Sequence, residues 1–337
     1  MTSYNFGPNH PLKPVRLVKT IELLQSCLPE LVVTDPAMAS RADLERVHSS
    51  DYVDAVAAVS SGQPVDKRLV SESGFLSGDN PPFPGMYEAS LAYVGGSVRA
   101  AQAVCDGAVT AFNWAGGLHH ARRSEASGFC VFNDCAVACA ILRDKFDRVA
   151  YVDIDLHHGD GVQWIFYDDP TVMTCSIHED GRYLYPGTGS VEETGRDLTS
   201  VNAPLAPLTT GDTWLMAMER VVIPSLQRFE PRAIVLQMGA DAHVTDPLGH
   251  LMVTVQEWLA AIQMVKALGL PIVALGGGGY DLANVPRMWT AATLTLLGLP
   301  LPMDRGLTDK HLPEPRWQGL HEAEAMVRAH EENFLKS

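Results

Sequence analysis

Apolar residues along this chain fall into two alternating patterns. Short runs that are largely apolar recur at 31–34, 109–114, 149–153, 171–177, 233–237 and 271–275. Between them, longer stretches place apolar side chains at helical spacing, at 14–27, 51–60, 86–105, 133–143, 213–228, 255–268 and 287–297. A continuously apolar run suits a strand covered on both faces, and the longer period suits a helix with one face buried. Alternation of the two predicts a three-layer α/β/α sandwich, a mostly parallel sheet joined by right-handed crossovers. No repeat or low-complexity linker interrupts the pattern. The expected organisation is one domain over 1–337, with its core at about 4–298. A proline- and charge-rich extension, 299–337, closes with a short amphipathic helix at 323–335 that packs on the core.

Composition narrows the class. The 337 residues are 46% apolar and 19% charged, as in a soluble protein with a large core. No stretch is long and apolar enough to span a membrane, and residues 1–8 show no secretory pattern, so the cytoplasm is the expected location. The six cysteines form no C-x-x-C pair and five sit among apolar or small residues, which points to reduced core thiols. With a formal net charge of −15 and no basic stripe, direct binding to nucleic acid is not expected, whereas cationic ligands would be attracted. The oligomeric state is left open by the sequence, which is compatible with an oligomer.

Open α/β sheets bind ligands beyond the carboxyl ends of their strands. Four predicted strand ends carry small residues with functional groups: Ala115 to Ala121 with His119 and His120; Asp153 to Gly161; Gln237 to His243 with Asp241; and Gly276 to Tyr280. The second is the densest, with Asp153, Asp155, His157, His158 and Asp160 within eight positions. If the strand runs on, Asp153, Asp155 and His157 share a face. Oxygen and imidazole donors together suit a divalent cation of the zinc or ferrous type, and burial of so many ionisable groups needs such a counter-charge.

These blocks resemble the signature segments of the zinc-dependent histone deacetylase family, in particular its bacterial acetoin-utilisation branch. The likeness runs from Tyr4 and His10-Pro11-Leu12-Lys13-Pro14-Val15-Arg16, through 78–85 and Ser127-Gly128-Phe129-Cys130-Val131-Phe132-Asn133-Asp134, to 276–289. It implies an arginase/deacetylase fold with about eight strands. The implied activity is hydrolysis of the acetyl (acyl) amide on the Nε of protein lysines, releasing acetate, with small acetylated amines such as acetylpolyamines as the alternative substrate. Zinc, or ferrous iron in its place, would be held by Asp155, His157 and Asp241, and hydroxamates should inhibit by chelation. His119 and His120 would flank the metal-bound water, oriented by Asp153 and Asp160, with Tyr280 on the carbonyl oxygen. Phe129 and Tyr185, the latter often phenylalanine in relatives, would line the tunnel for the lysine stem, with Gly128, Gly278 and the rim residue Asp79 also contacting substrate.

Leu248 stands where polyamine-specific relatives carry a glutamate. Arg16 matches a residue beside the acetate-release path. Potassium would bind at Asp153, Asp155, His157, Ser176 and Ile177, and again at Phe166, Asp169, Val172 and Thr199. The dyad, the metal set and Tyr280 are all filled, which argues against a catalytically dead acetyl-lysine reader. Of the other histidines, His48 is expected to organise a helix start, and His178, His243 and His250 to lie in loops near the site without assigned chemistry.

Overall fold

In the computed structural model, which describes residues 2–35, 37–62, 64–75, 78–314 and 317–335 (side chains to 333), β2 and β5 show why the chain stacks in layers. Strand β1 is Thr110–Asn113, β2 Val149–Asp153, β3 Val172–Glu179, β4 Ser200–Leu205, β5 Ala233–Gln237 and β6 Ile272–Leu275. Along β2, Val149 and Tyr151 enter one apolar core while Ala150 and Val152 enter the other; Ala233 and Val235 of β5 part from Ile234 and Leu236 in the same way. A strand apolar on both faces is stable only between two layers of helices.

The helices are α1 (Val15–Cys27), α2 (Arg41–Leu44), α3 (Ser50–Ser60), α4 (Lys67–Glu72), α5 (Met86–Cys105), α6 (Asp134–Leu142), α7 (Asp160–Phe166), α8 (Gly211–Ala217), α9 (Ile223–Phe229), α10 (Val255–Ala267), α11 (Asn284–Leu297) and α12 (Leu320–Leu335). The core facing α3, α5 and α6 holds Tyr93, Phe132 and Leu142; the core facing α10 and α11 holds Trp214, Trp258 and Trp289. No helix among the described residues is long and apolar enough to cross a membrane.

All pairings are parallel, in the order β1-β6-β5-β2-β3-β4. The sheet thus has six strands among the described residues, not about eight. The run 31–34 forms no strand: Val32 is 80% exposed, and the segment lines a cavity of about 350 Å³ beside Phe112 and Trp114 without pairing to β1. Strand β4 was not expected, because Ser200, Asn202 and Pro204 break the apolar pattern; an edge position tolerates the proline. The helix expected at 213–228 is interrupted by a wider π turn, Met218–Val222, just before Pro224, whose ring offers no N–H. Near the C-terminus, α12 buries Ala323, Met326 and Val327, and His330 Nε2 donates to the Asn202 carbonyl of β4 at 2.7 Å.

Candidate metal centre

Strand β2 ends at Asp153, so the period-two argument stops there. Beyond it the chain descends a stair of turns in which each carboxylate caps the backbone two residues on. Asp153 Oδ1 accepts from the Asp155 N–H and Asp155 Oδ1 from the His157 N–H, both at 3.0 Å. Such Asx turns are the ordinary local habit of aspartate. Here they carry Asp155 and His157 to the loop after β5, because β2 and β5 pair in register with Asp153 opposite Gln237. Asp241 in that loop accepts from the Leu156 N–H at 3.0 Å, and His157 Nδ1 stands 3.1 Å from Asp241 Oδ2 and 3.2 Å from Asp155 Oδ1.

Asp155, His157 and Asp241 are all buried, with one ligand atom of each within 4.8 Å of the others; His119, Asp153 and Asp155 form a second such group. Two carboxylates facing one imidazole nitrogen in a buried site require a cation between them. Without one, the proton takes that role. Burial alone would lower the His157 pKa, but hydrogen bonds to Asp155 and Asp241 push it up to about 10. Burial also works against ionised Asp155, yet the fields of His119 and His157 hold its carboxyl well below the usual range; burial and the Asp155 charge push Asp241 up to about 7. Two oxygens, one imidazole and two negative charges fit a divalent cation with coordination positions to spare. The surroundings keep the space clear: a Cβ at Gly278 would lie 2.0 Å from Asp241 Oδ2, and one at Gly239 would lie 2.0 Å from Asp155 Oδ2.

The loop after β1 brings the histidine pair over this cluster. Asp134 Oδ2 and Oδ1 accept from the Gly117 and Leu118 N–H groups at 3.0 and 2.8 Å, and Asn133 Nδ2 donates to the His119 and Ala121 carbonyls, each at 2.9 Å. His119 Nδ1 meets Asp153 Oδ2 and His120 Nδ1 meets Asp160 Oδ1, both at 2.7 Å. The two Nε2 atoms are 3.1 Å apart, so a single proton lies between them. Burial lowers both rings. For His119 the charges of Asp153 and Asp155 prevail and raise it to about 9; for His120 the charge of His119 adds to burial and lowers it to about 4. The pair therefore holds one charged and one neutral imidazole. Asp160, first residue of α7, also accepts from Arg122 at 3.3 Å.

Tyr280 follows the tetraglycine after β6; its N–H donates to Asp246 Oδ2 at 2.7 Å, and burial raises its phenol well above the usual value. It lines an inner cavity of about 20 Å³ with His119, His120, His157, Asp155, Gly128, Phe129 and Gly278. Gly278 reaches this cavity, but its N–H is already given to Asp155 Oδ2 at 2.8 Å. Phe129 and Gly128 are the central residues of a tight turn, φ 67° and 50°, closed by reciprocal Ser127 and Cys130 backbone bonds. The Tyr4 hydroxyl donates to the Phe129 carbonyl at 2.7 Å. The Tyr185 ring stands edge-on to His120, 5.0 Å between centroids.

Asp79 and Leu248 lie outside the inner cavity. Asp79 is exposed, its carbonyl bonded to His10 Nε2 at 3.1 Å, and Leu248 is half-buried, its N–H on Asp246. Arg16 is buried, donating to the Gly279 carbonyl at 2.8 Å with its guanidinium 5.1 Å from the Trp289 ring centre.

Of the residues expected to hold monovalent cations, Asp153 and Ser176 are register partners on β2 and β3, with Ile177 next on β3. Phe166, Asp169, Val172 and Thr199 gather at the entry of β3: Asp169 N–H donates to Phe166, Val172 N–H to Asp169, and Thr199 O accepts from Thr174. His178 differs from expectation, lying in β3 and not in a loop, while His48 does sit at a helix start, but at that of α6, where it accepts from the Asn133 N–H, and not at that of α3, which follows it in sequence.

Sequence reasoning assigned no role to Asn133, Asp134 or Gln237. Gln237 Nε2 donates to Asp155 Oδ2 at 2.7 Å and to the Gly117 carbonyl at 3.2 Å, tying the Asp155–His157–Asp241 group to the histidine loop. The only signal was position: a polar residue ending an otherwise apolar strand.

A model of the histone deacetylase domain matches residues 10–296. The chain is 41% identical over 314 residues to the acetoin utilization protein AcuC of Bacillus subtilis, covering 88% of this chain and 80% of that one. It is 39% identical over 318 residues to histone deacetylase clr6 of Schizosaccharomyces pombe, covering 92% and 76%. The crystal structure of an HDAC homolog from Aquifex aeolicus superimposes with a TM-score of 0.89 at 28% identity, covering 98% of each chain.

Proposed function

Since the chain belongs to the histone deacetylase family, a family of hydrolytic deacetylases with acetylated substrates, we propose that it cleaves the acetyl amide on the Nε of protein lysines and releases acetate. The observation that carries this reading is the convergence of His119, His120 and Tyr280 on the Asp155–His157–Asp241 cluster, around one small inner cavity. Zinc is the proposed metal, with ferrous iron able to take its place in this donor set.

Asp155, His157 and Asp241 would hold the dication, which when bound would supply Lewis-acid activation of the amide carbonyl and of water. The chain's own groups do the rest. His120, whose Nδ1 is held by Asp160 so that Nε2 is its accepting nitrogen, takes the proton from water as it attacks, with Asp160 stabilising the imidazolium that forms. His119 is oriented through Nδ1 by Asp153 and stands beside His120 with its Nε2 turned to the same space. Tyr280 keeps its proton at neutral pH and donates it as a hydrogen bond to that oxyanion. The pair then returns a proton to the departing amine, and the C–N bond breaks.

Gly128, Phe129 and Tyr185 are assigned to the lysine stem, Asp79 to the peptide at the rim, and Leu248 to a rim without the charge that a polyamine would need. Potassium is assigned to the Asp153–Ile177 and Phe166–Thr199 sites, where carboxylate and backbone oxygens suit a hard cation. The proposed setting is a single deacetylase domain acting in the cytoplasm.

The test is a side-by-side measurement of kcat/KM on acetyl-lysine peptides and acetylpolyamines with zinc-loaded protein. The peptides should be the better substrates and a hydroxamate should block their turnover. Faster turnover of the polyamines would replace lysine with small amines as the substrate class, and no turnover of either would sink the reading.

A further inference from the structure

The Tyr185 loop is fastened to the protein from beneath by polar groups whose protons can all be placed. Gln163 Oε1 accepts from Asn202 Nδ2 at 2.8 Å and stands 3.1 Å from His158 Nε2, so His158 carries its ring proton there. His158 Nδ1 is then an acceptor, and the Thr188 hydroxyl donates to it at 2.8 Å. Gln163 Nε2 donates to Glu193 Oε2 at 2.6 Å, while Glu193 Oε1 accepts from the Gly189 and Ser190 N–H groups at 3.0 and 3.3 Å. His178 Nε2 donates to the Gly189 carbonyl at 3.0 Å. Residues 188–190, three positions beyond Tyr185, are thus fixed at both backbone and side chain.

Above this base, Tyr185 makes one contact a phenylalanine cannot make: its hydroxyl lies 2.5 Å from Ser127 Oγ. Ser127 opens the turn whose tip is Gly128-Phe129, so this bond ties that turn to the Tyr185 loop, the two walls assigned above to the substrate stem, which are 58 residues apart in sequence. Both walls press on the same imidazole. A Cβ at Gly128 would fall 2.3 Å from His120 Cδ2, and the Tyr185 ring meets His120 from another side. With one wall seated on His120 and the other pinned through Thr188 and Gly189, the hydroxyl pair sets the spacing between them.

We infer that the Ser127–Tyr185 hydroxyl bridge makes Tyr185 a specificity-determining residue, holding the tunnel to a width that admits an unbranched aliphatic stem and disfavours a broader one. This rests on the functional reading above, in which the space between these walls receives the substrate stem. Removing either hydroxyl leaves both walls present but uncoupled, so each removal should have the same effect and the second should add nothing.

The test compares zinc-loaded wild type with Tyr185→Phe, Ser127→Ala and the double variant. Two peptides are used, one carrying acetyl-lysine and one carrying acetylated 4-aminomethylphenylalanine, whose stem is aromatic. Each single variant should reduce the kcat/KM preference for the linear stem by about fivefold, the worth of one neutral hydrogen bond, mainly through KM. The double variant should match either single. Additive losses, or an unchanged preference in the single variants, overturn the inference.

Amide hydrogen exchange over residues 183–187 in metal-free protein gives a second readout that needs no catalysis. It should quicken to the same extent in all three variants, and unaltered exchange counts against the bridge. If wild type fails to turn over the lysine peptide, the functional reading fails while the exchange experiment still decides the bridge.

Discussion

Gly278→Ala tests whether the carboxylates gather for a metal. The position has no positive φ that would penalise alanine, so any effect comes from the methyl group itself. That methyl would sit 2.0 Å from Asp241 Oδ2 and 3.0 Å from Asp155 Oδ2. A carbon and an oxygen need about 1 Å more than the shorter of these distances. The glycine backbone is held by its N–H on Asp155, so the Asp241 carboxylate is the group that must yield.

Metal–ligand distances tolerate only about 0.2 Å. A shift of this size removes one of three protein ligands, and even disturbances outside the ligand set cost 10–100-fold in affinity. Zinc affinity should therefore fall by about a hundredfold or more. The assay is zinc competition against a chromophoric chelator at fixed pH, with the thermal transition of the metal-free protein recorded alongside. Gly78→Ala is the control, since a Cβ there meets nothing within 4 Å. A folded Gly278→Ala protein that binds zinc within threefold of wild type would refute the placement of Asp241 in the metal site.

The same geometry sets two further outcomes. Tyr280→Phe should keep its zinc and lose about 10²–10³-fold in kcat, the usual cost of one oxyanion donor; turnover near wild type rules out the phenol's assignment. Zinc affinity should rise with pH, because His157, pushed up to about 10 in the metal-free protein, is protonated below that value and must release its proton on binding. The slope is about tenfold per pH unit and steepens below about 7, where Asp241 also carries a proton. An affinity that is flat between pH 6 and 8, after correction for the chelator, would show that His157 is not the ligand displaced.

Much of this protein was legible from residue order, because the signals involved are local. Apolar runs marked β1, β2, β3, β5 and β6, and helical spacing marked α1, α3, α5, α6, α10 and α11 to within three residues at each end. Strand β4 escaped because edge strands tolerate Pro204 and polar faces, and the run 31–34 misled because β-branched residues favour extension without supplying a partner strand. The sequence also determined the chemical inventory: which donors sit at strand ends, and that they are too many to bury without a counter-charge.

Tertiary structure alone decided their use. Pairing of β2 beside β5 sets Asp155 and His157 against Asp241, 84 positions from His157, and Gln237 then reaches from the end of β5 to both Asp155 and the histidine loop. The Ser127–Tyr185 bridge and the opposed protonation of His119 and His120 are likewise products of proximity. Periodicity records what each segment buries, but the distance between two segments depends on strand order, which no local pattern encodes.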